Sequence, residues 1–141
     1  MRILISGGSG FIGSHLNNLI KEADILDLKE GTDILTFNNF SNYDYIFHLA
    51  AKRGVLDGEK NPENYILTNC WGSLRLFEEA KNAKCIINVS SSSADEAKSV
   101  YGCTKKFVEM IARKYPNVIT VRPYNVFGER QPVESGAVVP Q

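Results

Sequence analysis

The sequence predicts a doubly wound α/β domain: one parallel sheet of about six strands with helices on both faces. Three observations carry this. Short β-rich apolar runs alternate with helical patterns from end to end. A glycine-rich stretch lies between the first run and the first helix. The 141 residues, 43% hydrophobic, suffice for one sizeable core without disulfide or metal support. Strands separated by helices imply parallel pairing, and right-handed crossovers give the strand order 3-2-1-4-5-6.

Ile3-Leu4-Ile5 forms the first strand and stops at Ser6-Gly7-Gly8. Phe11, Ile12, His15, Leu16, Leu19 and Ile20 repeat at helical spacing. Ile25-Leu26 is a second strand ending at Asp27, and Asp33-Ile34-Leu35 a third. Tyr45 to Ala50 is the fourth. Lys52 to Asn61, with two glycines, reads as a surface loop, and Pro62 opens a helix that runs to about Asn82. Cys85 to Val89 is the fifth strand, and Ser90 to Lys98 a polar loop. Tyr101 to Lys114 is a helix with Phe107, Val108, Ile111 and Ala112 as its apolar stripe. Val118 to Val121 is the sixth strand, followed by a tail with Pro123, Gly128, Pro132 and Gly136.

Sixteen basic and sixteen acidic side chains leave a formal net charge of zero, which argues against a nucleic-acid partner held by bulk electrostatics. No apolar run is long enough to span a membrane, and the N-terminal run ends too early for a secretory signal. Cys70, Cys85 and Cys103 are an odd count without CxxC spacing, read as reduced thiols of a cytoplasmic protein. His15 and His48 stand far from them and show no ligand spacing, so no metal site is expected.

Glycines 7, 10 and 13 give GxxGxxG between strand and helix. Small residues there let the backbone approach a pyrophosphate, and the helix N-terminus offers free N–H groups. The structural alternative is a tight turn with close helix packing. Asp27 ends the second strand twenty residues after Gly7. A carboxylate there accepts hydrogen bonds from adenosine ribose hydroxyls and repels a 2′-phosphate, so NAD is favoured over NADP. Lys29 leaves an opening for NADP, and a capping role for Asp27 is the alternative. Together these features predict a Rossmann-type, NAD-binding domain over residues 1–141.

Tyr101 and Lys105, in Tyr101-Gly102-Cys103-Thr104-Lys105, lie one turn apart on the same helix face. A fixed ammonium favours the phenolate, so the pair can move a proton on and off a substrate hydroxyl. An amphipathic helix with a solvated lysine would carry the same string. His48 reads as a packed strand residue, and Trp71 and Phe77 as core or interface.

Taken together, Ile5 to Leu16, Asp33-Ile34, His48-Leu49-Ala50-Ala51, Asn69 with Gly72-Ser73, Ser90-Ser91-Ser92, the YxxxK string and Arg122-Pro123-Tyr124-Asn125-Val126-Phe127-Gly128 form a pattern. The chain resembles the extended short-chain dehydrogenase/reductase family, particularly its NAD-dependent sugar-nucleotide epimerases and dehydratases. The resemblance implies a cofactor groove formed by Gly7, Gly10, Phe11, Ile12, Gly13 and Asp27. Asp33 and Ile34 would meet the adenine, and Leu49, Ala50, Ala51 and Lys52 would line the groove after the fourth strand. Asn69, Ser90 and Arg122 complete the implied cofactor set. Tyr101 would be the acid/base, Lys105 would hold the nicotinamide ribose, and Ser92 would polarise the reacting sugar oxygen. It further implies a nucleotide-sugar substrate and a homodimer through helices 62–82 and 101–114.

Two features depart from the family pattern. Only eight residues separate Ser92 from Tyr101, and Ala94-Asp95-Glu96 stands near where the family's dehydratases carry Thr-Asp-Glu. The sequence given stops at Val138-Val139-Pro140-Gln141, where family members continue into a portion that closes over the substrate. The expectation is therefore an epimerase/dehydratase-type oxidoreduction whose substrate wall is not among these residues. An NAD-binding module without turnover and a sugar-nucleotide 4,6-dehydratase are the alternatives.

Overall fold

The computed structural model describes residues 1–131; Pro132, Gly136 and the Val138–Gln141 stretch lie outside the described residues. Five parallel strands form one sheet: β1 (Ile3–Ser6), β2 (Asp24–Leu26), β3 (Tyr45–His48), β4 (Cys85–Val89) and β5 (Val118–Val121). Their order is β2-β1-β3-β4-β5. β1 is an interior strand, buried at every position. Ser6 pairs in register with Leu26 on one side and His48 on the other. The chain order reverses at β1, so a crevice opens beyond the C-terminal ends of β1 and β3.

The expected third strand is absent from the sheet. The Asp33 carbonyl accepts the amides of Thr36 (3.1 Å) and Phe37 (2.8 Å), and Oδ1 accepts the Leu35 amide (2.9 Å). The backbone of this stretch therefore closes on itself as a turn, leaving nothing to pair with β2. Ile34 is buried in the core, which is what its apolar signal reported. Removing this edge member from 3-2-1-4-5-6 leaves the observed order of the other five.

Helix α1 (Phe11–Leu19) follows β1 directly. The stretch 52–61 is not all loop: α2 (Val55–Lys60) forms there, too short for periodicity to announce. Next comes one continuous helical stretch. It begins as α3 (Pro62–Tyr65) with Pro62 in the first turn, widens to π geometry over Ile66–Trp71, and ends as α4 (Gly72–Glu79). A π segment inside an α-helix commonly marks a functional position, and Asn69 lies within this one. Helix α5 (Val100–Ala112) starts at Ser99, whose Oγ accepts the Gly102 amide at 3.0 Å.

The core packs Leu4, Ile46 and Ile86 of the sheet against Leu76, Phe77 and Val108 of the helices. Phe77 is core as expected, whereas Trp71 is half exposed. The expected stripe of α5 is displaced. Val108 and Ala112 are buried, but Phe107 is exposed, and polar Thr104, Lys105 and Glu109 take buried positions instead. No described helix is long and apolar enough to cross a membrane.

Candidate nucleotide and active site

A cleft of about 650 Å³ runs across the C-terminal ends of the strands. Its lining follows the sheet order. Asp27, Leu28, Thr32, Asp33, Ile34 and Leu35 stand at the β2 end. Gly7, Gly10, Phe11, Ile12, Gly13, Leu49, Ala50, Ala51, Lys52 and Arg53 form the middle. Ser90, Ser91, Tyr101, Lys105, Tyr124 and Val126 stand at the β4 and β5 end.

The glycine loop is built for close approach. Gly7 has φ +77°, and a Cβ there would lie 2.7 Å from the Ala50 nitrogen. A Cβ on Gly13 would lie 2.1 Å from the Gly7 carbonyl oxygen. These two glycines let α1 rest on the loop and the loop rest on Leu49–Ala50, just after β3. Gly10 is the N-cap residue of α1. The first-turn amides of Phe11, Ile12 and Gly13 have no partner inside the helix. They open on the cleft, where an anionic group meets free N–H donors and the positive end of the helix dipole.

Asp27 takes the capping role considered for it and also lines the cleft. Its Oδ1 accepts the Lys29 amide and its Oδ2 the Ser9 amide, each at 3.0 Å. It therefore caps the turn Leu28–Glu30 and pins the glycine loop, while it still lines the cleft. Each carboxylate oxygen retains a further lone pair for a ligand hydroxyl.

Under the middle of the cleft runs a buried polar network. The Ser73 hydroxyl donates to the Asn69 carbonyl (2.5 Å), so His48 Nε2–H donates to Ser73 Oγ (2.8 Å). Ser6 Oγ then donates to His48 Nδ1 (2.7 Å). Neutral imidazole satisfies every bond, and burial pushes the His48 pKa down to about 3. His48 is thus the packed strand residue the sequence implied. Asn69 bonds the Lys52 amide (2.8 Å), the Lys52 carbonyl (3.0 Å) and Thr104 Oγ1 (3.0 Å). It is buried behind the cleft wall and fixes that wall rather than lining it.

At the far end, Tyr101 and Lys105 both face the cleft from α5. The Lys105 ammonium donates to the Val89 carbonyl at 2.8 Å. Burial lowers its pKa to about 8, with nearby Glu109 acting in the opposite direction. Glu109 continues the Tyr101–Lys105 face by one more turn. Its carboxylate accepts Ser90 Oγ (2.6 Å) and the Arg122 guanidinium (2.9 and 2.5 Å), and the guanidinium beside it holds its pKa low.

Two sequence-based assignments are displaced. Arg122 does not line the cleft: Glu109 and Asp95 both hold its guanidinium, which faces a second hollow between α5 and β5. Ser92 also stands outside the lining, and Ser90 and Ser91 take that place. Ser92 opens the short turn Ser92–Ala94, its amide bonded to the Pro123 carbonyl (3.2 Å). Its hydroxyl makes no hydrogen bond among the described residues.

Several cleft residues escaped the sequence reading. Arg53, Asn64 and Thr68 line it, and the Tyr65 hydroxyl holds the Arg53 carbonyl at 2.5 Å. Glu109, behind the cleft, also escaped, although the four-residue step from Tyr101 to Lys105 repeats at it and could have found it.

A family model described as NAD dependent epimerase/dehydratase family matches residues 3–141. Protein CapI of Staphylococcus aureus is 30% identical over 91% of this chain and 55% of its own length. The UDP-glucuronate 4-epimerase 6 of Arabidopsis thaliana is 27% identical over 84% of this chain and 37% of its own. Among solved structures, a UDP-N-acetylglucosamine 4-epimerase from Methanobrevibacter ruminantium, in complex with UDP-N-acetylmuramic acid, superposes with a TM-score of 0.84 and 27% identity. That match covers 98% of this chain and 59% of the other. The chain thus spans about half the length of the relatives it matches, or less. The family match, the fold and the glycine-lined cleft agree, and the chain belongs to the NAD dependent epimerase/dehydratase family.

Proposed function

We propose that this chain holds NAD in the cleft and serves the reversible oxidation of a nucleotide-sugar hydroxyl, as in 4-epimerisation. The observation that carries this is the joint lining of one cleft by the glycine loop, Asp27 and the Tyr101–Lys105 pair. Gly7 and Gly13, where a Cβ would collide with the backbone of Ala50 and of Gly7, hold the glycine loop and the start of α1 close together at the cleft, an arrangement that fits a dinucleotide pyrophosphate. Asp27 takes the adenosine ribose, Asp33 and Ile34 the adenine, and Gly10 to Gly13 the pyrophosphate. When bound, NAD supplies the hydride acceptor and donor.

The chain's own residues handle the proton and the alignment. Tyr101 takes the proton from the sugar hydroxyl and returns it. Lys105, anchored on Val89, presents an ammonium that favours the phenolate and holds the neighbouring ribose. The serine turn supplies a hydroxyl to the reacting oxygen. Ser92, just outside the lining, has an uncommitted hydroxyl; the lining Ser91 Oγ accepts the Ser93 amide and keeps its proton for a ligand, whereas Ser90 Oγ is held by Glu109. The homodimer expected through the helical stretches 62–82 and 101–114 remains part of the proposal. Exposed Ile66, Leu67, Trp71, Phe107 and Met110 on these helical stretches support it.

The test is NADH absorbance and epimer formation with UDP-, GDP- and dTDP-sugars, comparing the parent with Tyr101→Phe. A proton-transfer residue contributes on the order of 10²–10⁴ in rate, so the variant is expected to lose at least two orders of magnitude. Full activity in Tyr101→Phe overturns the acid/base assignment. NAD binding without turnover by the parent assigns a cofactor-holding module instead.

A further inference from the structure

Arg75 lies on α4, outside the cleft lining, and its guanidinium is committed to backbone some 40 residues earlier in the chain. Nη1 donates to the carbonyls of Ile34 (3.2 Å) and Leu35, and Nη2 to that of Phe37 (2.9 Å). Nη2 also meets Glu79 Oε1 at 2.8 Å, and the side chain is only 19% exposed. One side chain thus collects three carbonyls from the turn that begins at Asp33. Carbonyls at the end of a helical turn have no following amide to bond them. A planar guanidinium fork can reach several of them, where an ammonium offers a point charge. Three residues earlier on α4, Gly72 lets Ile34 lie against the helix: a Cβ there would stand 3.1 Å from Ile34 Cγ2. The β2-end wall of the cleft therefore hangs on α4 through Arg75 and Gly72, having no strand pairing of its own.

We infer that Arg75 is a positioning residue for recognition of the cofactor's purine base. It fixes the 33–37 turn so that Asp33, held in place by Ile34 buried against α4, presents a carboxylate acceptor to an adenine at the cleft wall. This rests on the NAD reading above. A carboxylate acceptor favours the exocyclic amine of adenine and disfavours the carbonyl that hypoxanthine carries at the same position. The turn's fixed geometry thus sets the preference for the base.

Two variants separate this from a plain structural role. Arg75→Met keeps an apolar stem without donors, and Arg75→Lys keeps the charge without the fork. The first readout, amide hydrogen exchange at Leu35, Thr36 and Phe37, needs no ligand. Exchange about tenfold faster than in the parent, with β1 amides unchanged, is expected for Arg75→Met. The second is the calorimetric ratio of dissociation constants for nicotinamide hypoxanthine dinucleotide and NAD. The parent should prefer NAD, and Arg75→Met should narrow that preference by about tenfold. Equal weakening of both dinucleotides with the ratio unchanged overturns the inference, as does a parent without preference. If Arg75→Met does not fold, Arg75→Lys decides, an intermediate ratio supporting and the parental ratio overturning. If the parent binds neither dinucleotide, the NAD reading fails separately. Unchanged exchange in the folded variant then overturns the clamp itself.

Discussion

Lowering the pH from 7 to 4.5 should destabilise this fold through one residue, His48. Its ring is buried between Ser6 Oγ and Ser73 Oγ, in an arrangement that only the neutral imidazole completes. A proton added at Nδ1 would face the Ser6 hydroxyl hydrogen, and the new cation would stand near the Lys105 ammonium. The folded-state pKa of about 3 lies below the ordinary 6.5. Between those values the unfolded chain binds the proton and the folded chain does not, so stability falls as the pH drops. Over the window from 6.5 to 4.5 the loss is roughly 2–3 kcal/mol. The carboxylates of Asp24, Asp44 and Glu109 are all held below their ordinary values, so most of their contribution is lost at lower pH. The assay is urea denaturation of the parent and His48→Gln at both pH values. The parent midpoint should fall by on the order of 1 M, given a typical slope for small domains. The variant, whose amide can still bridge the two serines, should move much less. Equal losses in the two proteins would refute the reasoning.

The glycine loop gives a paired expectation. Gly13→Ala puts a methyl 2.1 Å from the Gly7 carbonyl and should cost about 1–3 kcal/mol in thermal or urea unfolding. A Gly10 Cβ meets only that carbonyl, at 3.1 Å, so Gly10→Val should keep its circular dichroism while losing NAD affinity by calorimetry. Lys105, with a pKa of about 8 against 10.5, gives stability that rises with pH between those values. The gain should be about 3 kcal/mol in the parent and largely missing in Lys105→Met, read from urea midpoints at pH 7.5 and 10.

The five strands were legible because each is a short apolar run bounded by turn residues, and parallel pairing follows from the helices between them. Ile34 misled because burial against α4 and pairing in a sheet leave the same apolar trace. Only the Asp33-centred hydrogen bonds, and the distant Arg75, separate the two. At the site, the glycine loop, Asp27, Tyr101 and Lys105 were legible because their spacing is local. Arg122 was misplaced because its partners, Glu109 and Asp95, come from other elements, and no local pattern announces that pairing. Asn69 was identified as a site residue, but its work is indirect: it fixes the Lys52 backbone from behind the wall. Arg53, Asn64 and Thr68 meet the cleft only because the chain folds back after β3 and returns through α3 and the π segment.

The most direct measurement is a calorimetric titration of the chain with NAD and NADP, repeated with Asp27→Ala. Saturable NAD binding at one site per chain, tighter than NADP, is expected, with the preference narrowed in the variant because the ribose-facing carboxylate is lost. Absence of NAD binding, or NADP binding as tight as NAD in the parent, would contradict the assignment of the cleft.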